Sequence, residues 1–335
     1  MKRIGVLCVG NDSPGINSAI RAAVVKGLDL DIEVMGIRDG FEGFLKDNLD
    51  VLLRPNVSNI LHQGGTMLGT SLFVPEGEEL NRVKEKVEQY GISTLLIIGG
   101  RLAARSAINL MKIGIPSIII PATIDNDLSF TDFSIGFFTA IENVKNALDV
   151  LHSTAESHHR VMLVETMGKP SGWIAVIGGL AGGADYIISS AEKPNFDELI
   201  EIIRKRYEGK KRFSLVVVES GVEIPEEIKK ECKVSEKESS AIIVGRYIEK
   251  HLKELGIEWR YTNLGYLQRG GSPSAMDRII ATQMASHAVE MVKMGKVYHA
   301  VGVKGFSITE IPYSDTIVNY RPVDYYLKEL TKLFY

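Results

Sequence analysis

Two carboxylates, Asp125 and Asp127, flank Asn126 in the stretch Pro121-Ala122-Thr123-Ile124-Asp125-Asn126-Asp127. The run before them, Ser117–Ile120, is short and rich in β-branched residues, which predicts a buried strand. A polar cluster after such a strand lies at its carboxyl edge, where open α/β sheets bind ligands. Carboxylates at i and i+2 there can divide labour: one takes a proton from an attacking hydroxyl, and the other faces a metal. The same residues suit a turn held by Asx hydrogen bonds. Taken alone the stretch reads more readily as that turn, because Asp and Asn crowd loops generally.

Other stretches with chemical potential follow the same plan. Gly10-Asn11-Asp12-Ser13-Pro14-Gly15 follows an apolar run, Ile4–Val9, and precedes a helical pattern over Asn17–Lys26. A strand, a glycine-bearing loop and a helix N-terminus form a phosphate cradle, since free backbone N–H groups and the helix dipole both favour an anion. Gly64-Gly65-Thr66 and Met167-Gly168 come next, and Gln268-Arg269-Gly270-Gly271-Ser272-Pro273 occurs late, before a helix.

The elements that must carry these residues alternate. Strands are predicted at Glu33–Ile37, Thr94–Ile98, Arg160–Glu165, Ser214–Val218 and Trp259–Leu264, with Tyr298–Val303 as the last clear one. Helices are predicted at Glu78–Tyr90, Ala103–Ile113, Phe138–Ser153, Phe196–Tyr207, Ala241–Leu255 and Ser274–Met294. Gly40 and Gly43 read as loop, Ser58–His62 as a short helix or turn, and the charged segment Ile224–Ser239 as a surface excursion. This alternation argues for parallel, doubly wound sheets.

Composition narrows the function classes. The chain has 335 residues, enough for two domains of ordinary size. Its net charge of −3 gives no case for nucleic acid or an acidic membrane surface. Cys8 and Cys232 make neither a metal spacing nor a disulfide framework, which suits a reducing cytoplasm. Ile4–Val9 is too short for a signal segment, and no run approaches the ~20 apolar residues of a spanning helix. No G-x-G-x-x-G follows the first strand, which disfavours a plain dinucleotide-binding module.

Together, and in this order, the motifs resemble the phosphofructokinase family along nearly the whole chain. The Thr-Ile-Asp-Asn-Asp and Gln-Arg-Gly-Gly-Ser-Pro matches are the specific ones. The resemblance makes Asp125 the base for a sugar 1-hydroxyl, with Asp127 beside the metal and Thr123 beside the transferred phosphoryl group. Arg160, Arg260 and Arg269 fall where the family holds the sugar phosphate, a task suited to the guanidinium fork. Met167, Gly168 and Glu219 fall at its sugar contacts; Lys169 stands where many members have Arg, and Tyr266 where many have His.

The donor side departs from the family. Asn11 replaces a glycine where the backbone approaches the nucleotide phosphates. Arg101 replaces the aspartate that holds magnesium, Leu102 and Ala103 replace a Gly and a Ser that face the nucleotide, and Leu72 replaces an arginine that bridges the phosphates. Ala122 stands where members using pyrophosphate tend to carry Lys. Arg21, Arg54, Asp185 and Lys210 match an effector site between subunits of bacterial members, although Val25 and His152 stand where arginines are usual.

The resemblance therefore implies two doubly wound α/β domains with mainly parallel sheets. Residues 1–139 plus 273–318 would form a degenerate phosphoryl-donor domain, and 140–272 plus 319–335 a sugar-phosphate domain. It implies a homotetramer in which Arg160 and Arg260 serve a neighbouring subunit's site. The leading expectation is a cytoplasmic protein that binds fructose 6-phosphate or a similar sugar phosphate, with weak or lost kinase activity and a regulatory role beside an active paralogue. No residue is assigned to a metal. Magnesium and ATP are expected only under the alternative, a working ATP-dependent 6-phosphofructokinase of glycolysis.

Overall fold

The computed structural model describes residues 2–209, 211–235, 238–315 and 320–334. The chain divides into two compact units, Met1–Thr139 with Arg269–Tyr320, and Ala140–Gln268 with Arg321–Tyr335. The first unit carries β1 (Lys2–Val9), β2 (Ile32–Ile37), β3 (Leu49–Val51), β4 (Thr94–Gly99) and β5 (Ser117–Pro121). The second carries β6 (Arg160–Thr166), β7 (Tyr186–Ile188), β8 (Ser214–Glu219) and β9 (Glu258–Asn263). The chain then returns to the first unit for β10 (His299–Lys304) and β11 (Ser307–Pro312).

The return crossings differ from the sequence division. The second falls at Gln268–Arg269, not 272–273, because Gln268 is fully buried and bonds within the second unit: its Oε1 accepts from Met167 N and its Nε2 donates to Gly265 O. Arg269 instead pairs with Asp12 of the first unit. The third falls at Tyr320–Arg321, not 318–319: Tyr320 bridges to Leu128, and the Arg321 carbonyl accepts from Trp173 Nε1.

The first sheet runs β11-β10-β5-β4-β1-β2-β3, with a parallel centre and an antiparallel strand at each edge. Both faces are buried, so the central strands read as unbroken apolar runs. Ile4, Val6 and Cys8 of β1 join Ile98, Ile118 and Ile120 under helices Ile16–Asp29 and Ala275–Met294. Leu7 and Val9 point the other way and join Ile97 and Ile119 under Glu78–Gln89 and Arg101–Lys112. Gly99 lets β4 close on β1: a β-carbon there would stand 2.0 Å from the Val9 carbonyl oxygen.

The second sheet, β7-β8-β6-β9, is parallel throughout. Helices Phe196–Glu208 and Ser240–His251 cover one face through Leu199, Ile203, Val244 and Ile248. On the other face, Gly179 of helix Trp173–Ala181 sits close against Ile187 of β7.

Several short elements were not expected from the sequence. β3 and β7 have three residues each, too few for a period to show. β11 returns from β10 through Gly305-Phe306, and its mostly half-buried side chains lack a long apolar signal. Gly40–Leu45 is helical where a loop was expected, and Ile224–Ser239 includes a short helix, Glu226–Glu231, with no buried residue. Among the described residues no helix is long and apolar enough to cross a membrane.

Candidate functional site

In the first unit the carboxyl ends of β1, β4 and β5 open into a cavity of about 480 Å³. Asn11, Arg101, Leu102, Arg105, Thr123, Asp125 and Asp127 line it, with Gly10, Gly100 and Ala122. Helix Arg101–Lys112 begins where β4 ends, so Arg101 enters from its first position. Ala122 N donates to the Gly99 carbonyl at 3.0 Å, which ties the start of the acidic stretch to the end of β4.

The acidic stretch is a turn as well as a chemical cluster. Asn126 adopts the left-handed conformation (φ 49°), which Asn tolerates better than most residues. Its Nδ2 donates to the Asp132 carbonyl at 3.0 Å, and its Oδ1 accepts from Ser134 N at 2.9 Å. Ser134 Oγ donates to the Thr123 carbonyl at 2.6 Å, and Asp125 N donates to Thr123 Oγ1 at 3.2 Å. Asn126 thus fixes the loop, and the two aspartates on either side of it line the cavity.

Asp127 is 4% exposed, and Arg101 Nε lies 3.0 Å from its Oδ2. Burial raises the Asp127 carboxyl above its ordinary value, and the Arg101 charge acts against that rise. The Arg101 guanidinium also lies over the Tyr320 ring, 3.8 Å from its centroid, a cation–π contact. Arg105 pairs with Glu76 at 2.6 Å. Two of the five donor-side substitutions stand outside the cavity lining: Ala103 is fully buried in the core, and Leu72 is 65% exposed.

Magnesium takes oxygen ligands. The buried carboxylate that would meet it is covered by a guanidinium, and position 101 supplies a cation where an oxygen ligand would be needed. These residues do not fit a magnesium ion.

Arg269 reaches Asp12 of the glycine-bearing loop, Nε to Oδ1 at 3.1 Å, so two sequence motifs meet through an ion pair. Asp277, fully buried, joins a third segment. Its carboxylate accepts from Gly136 N (2.8 Å), Thr139 N (2.7 Å), Thr139 Oγ1 (2.5 Å) and Ser274 Oγ (3.2 Å). Gly136 has φ 105°, and a β-carbon there would stand 2.5 Å from Ser13 Cβ. Sequence reasoning missed Asp277, Ser134 and Tyr320. Only Asp277 carried a signal, as the acidic residue in the capping pattern Ser274-x-x-Asp277.

In the second unit Glu219 ends β8 beside Thr166 of β6 and has no exposure. Its Oε1 accepts from Gly172 N at 3.3 Å, and its Oε2 accepts from Ser190 N. Met167 and Gly168 follow β6 at the same carboxyl edge, and Lys169 packs against Gly221. Tyr266 is 74% exposed in the turn Gly265–Gln268. Arg160 stands at the other end: it is the first residue of β6, about 20 Å along the strand from Thr166. Arg160 and Arg260 both pair with Glu258, at 2.8 and 3.3 Å. Within this unit the structure separates the two arginines from Met167, Gly168, Lys169 and Glu219.

The candidate effector residues divide between the two units. Arg21 is half-buried on helix Ile16–Asp29, and Arg54 is exposed in the first unit. Asp185, in the second, pairs with Arg206 at 2.9 Å and accepts from Leu215 N. Lys210 lies outside the described residues.

A family profile described as Phosphofructokinase matches residues 3–292. The ATP-dependent 6-phosphofructokinases of Bacillus cereus (strain B4264) and Bacillus pumilus (strain SAFR-032) are each 37% identical to this chain, over 99% of it and 99% of their own length. Among solved structures, Pichia pastoris phosphofructokinase in the T-state superposes with a TM-score of 0.88 at 21% identity, over 99% of this chain and 40% of that one. A pyrophosphate-dependent phosphofructokinase from Marinobacter aquaeolei gives 0.84 at 22% identity, over 97% of this chain and 86% of that one. These two show a shared fold.

Proposed function

The chain belongs to the phosphofructokinase family, and from that premise we propose that it binds fructose 6-phosphate or a close sugar phosphate while transferring phosphate from magnesium–ATP weakly or not at all. The observation that carries the reading is the Arg101–Asp127 contact. Phosphoryl transfer rests on positioning and charge compensation. A base at Asp125 achieves little when the phosphoryl group lacks a metal beside Asp127 and a bridging arginine at position 72. Loss of one transition-state donor commonly costs ~10²–10³ in rate.

The sugar side supports binding because its residue types are kept: Arg160, Arg260 and Arg269 with Met167, Gly168 and Glu219. A homo-oligomer belongs to the same proposal, since Arg160 and Arg260 stand away from the Glu219 edge of their own sheet. A regulatory role beside an active paralogue, in the cytoplasm, is the setting such a protein would serve.

A second reading, a working ATP-dependent 6-phosphofructokinase, is favoured by the relatives so named at 37% identity. A coupled assay with ATP, GTP and pyrophosphate, run beside fructose 6-phosphate calorimetry, separates the two. We expect sugar-phosphate binding, with turnover at least ~10³-fold below ordinary enzymes. Turnover of ~10 s⁻¹ or faster, the usual range for enzymes, establishes the second reading instead.

A further inference from the structure

The cavity at the ends of β1, β4 and β5 carries its own cation. Arg101 is placed by the first turn of its helix, held through Nε on Asp127 and laid over Tyr320. A guanidinium bound through Nε keeps its Nη groups for a second acceptor, and phosphate oxygens match that fork. Arg101 lines the cavity, so such an acceptor has room beside it.

We propose that Arg101 is a tethered cation on Asp127, and that this cavity takes a small phosphate-type oxyanion in its magnesium-free form. This rests on reading the cavity as the donor side of the family site, but not on sugar-phosphate binding in the second unit. Magnesium is then an antagonist. In solution it chelates the oxygens that Arg101 would grip, so those oxygens are no longer open acceptors for the Nη groups. Asp127 offers that metal no ready ligand, because its Oδ2 faces Arg101.

The test uses the full chain and inorganic triphosphate, titrated by calorimetry in EDTA and again with excess magnesium chloride. We expect binding in EDTA that weakens at least tenfold with magnesium. Arg101→Ala should weaken the EDTA binding by tenfold or more, and Arg101→Lys by less, since it keeps the charge and loses the fork. Arg101→Asp should invert the behaviour: manganese, read by electron paramagnetic resonance, binds the variant and not the parent. Binding only in the presence of magnesium overturns the proposal. So does an absence of triphosphate binding in EDTA, or equal manganese uptake by parent and variant. If the variants fail to fold, the parent titrations decide alone. Lost fructose 6-phosphate binding with intact magnesium antagonism sinks the functional reading and leaves this one. The converse sinks this one only.

Discussion

Glu219 is a carboxylate with no exposure, and this makes it a source of pH dependence. Burial holds it above its ordinary 4.5, against the Ser190 and Gly172 N–H donors and the Lys169 charge. A group raised in the folded state stabilises the fold fully below its unfolded value, and that contribution is lost as pH rises through the folded value. Glu219 therefore weakens the second unit as pH climbs above 4.5. Glu219→Gln should be less stable at pH 5, because an amide leaves one buried N–H poorly met at about 1–3 kcal/mol. It should also lose less on going to pH 8 than the parent does. Urea midpoints at the two values check both statements, and a parallel pair of slopes counts against the ionisation argument. At this scale the sequence exposed residue types but not partners. Arg101 was visible as a cation in place of an acid; Tyr320 beneath it and Asp12 against Arg269 were not, since contacts between distant segments leave no local pattern.

The elements that hold the cavity are joined chiefly by polar links at their ends. Asp277, in the first turn of helix Ala275–Met294, gathers donors from Gly136, Thr139 and Ser274, and the segment 134–136 reaches the acidic stretch through Ser134 and Thr123. Replacing Asp277 with Ala strands several buried donors, at about 1–3 kcal/mol for each left unmet. We expect a loss of about 3 kcal/mol or more, seen as faster amide exchange across residues 123–139 and 275–294. Exchange that changes only at residues 275–278 would confine Asp277 to capping its own helix. The central strands and long helices were legible because apolar runs and helical periods are strong signals. The edge strands were not. Leu49–Val51 and Ser307–Pro312 are defined by pairing with β2 and β10, and nothing local in three or six residues requires that pairing.

Over the whole molecule, the two units divide the candidate residues, and the motif order in the sequence already implied such a division. Its crossings depended on where Gln268 and Tyr320 find partners, which only the fold supplies. Arg160 stands at one end of the second sheet, Arg260 two residues in from that end, and Glu219 at the other end, so a monomer would leave the arginines away from that edge. We expect a homo-oligomer by sedimentation at micromolar concentration, and at least tenfold weaker fructose 6-phosphate binding in Arg160→Ala. A monomer that still binds the sugar phosphate contradicts this. The divided first unit also bears on synthesis. The ribosome makes residues 1–139 first, yet Ala275–Met294, which covers Ile4, Val6 and Ile120, and the edge pair β10–β11 emerge only after Ala140–Gln268 has been made. Nascent chains ending at residue 268 should hold an Ala140–Gln268 segment, short only of residues 321–335, that resists protease better than the amino-terminal half, reversing the usual vectorial order in which the earliest-made domain folds first.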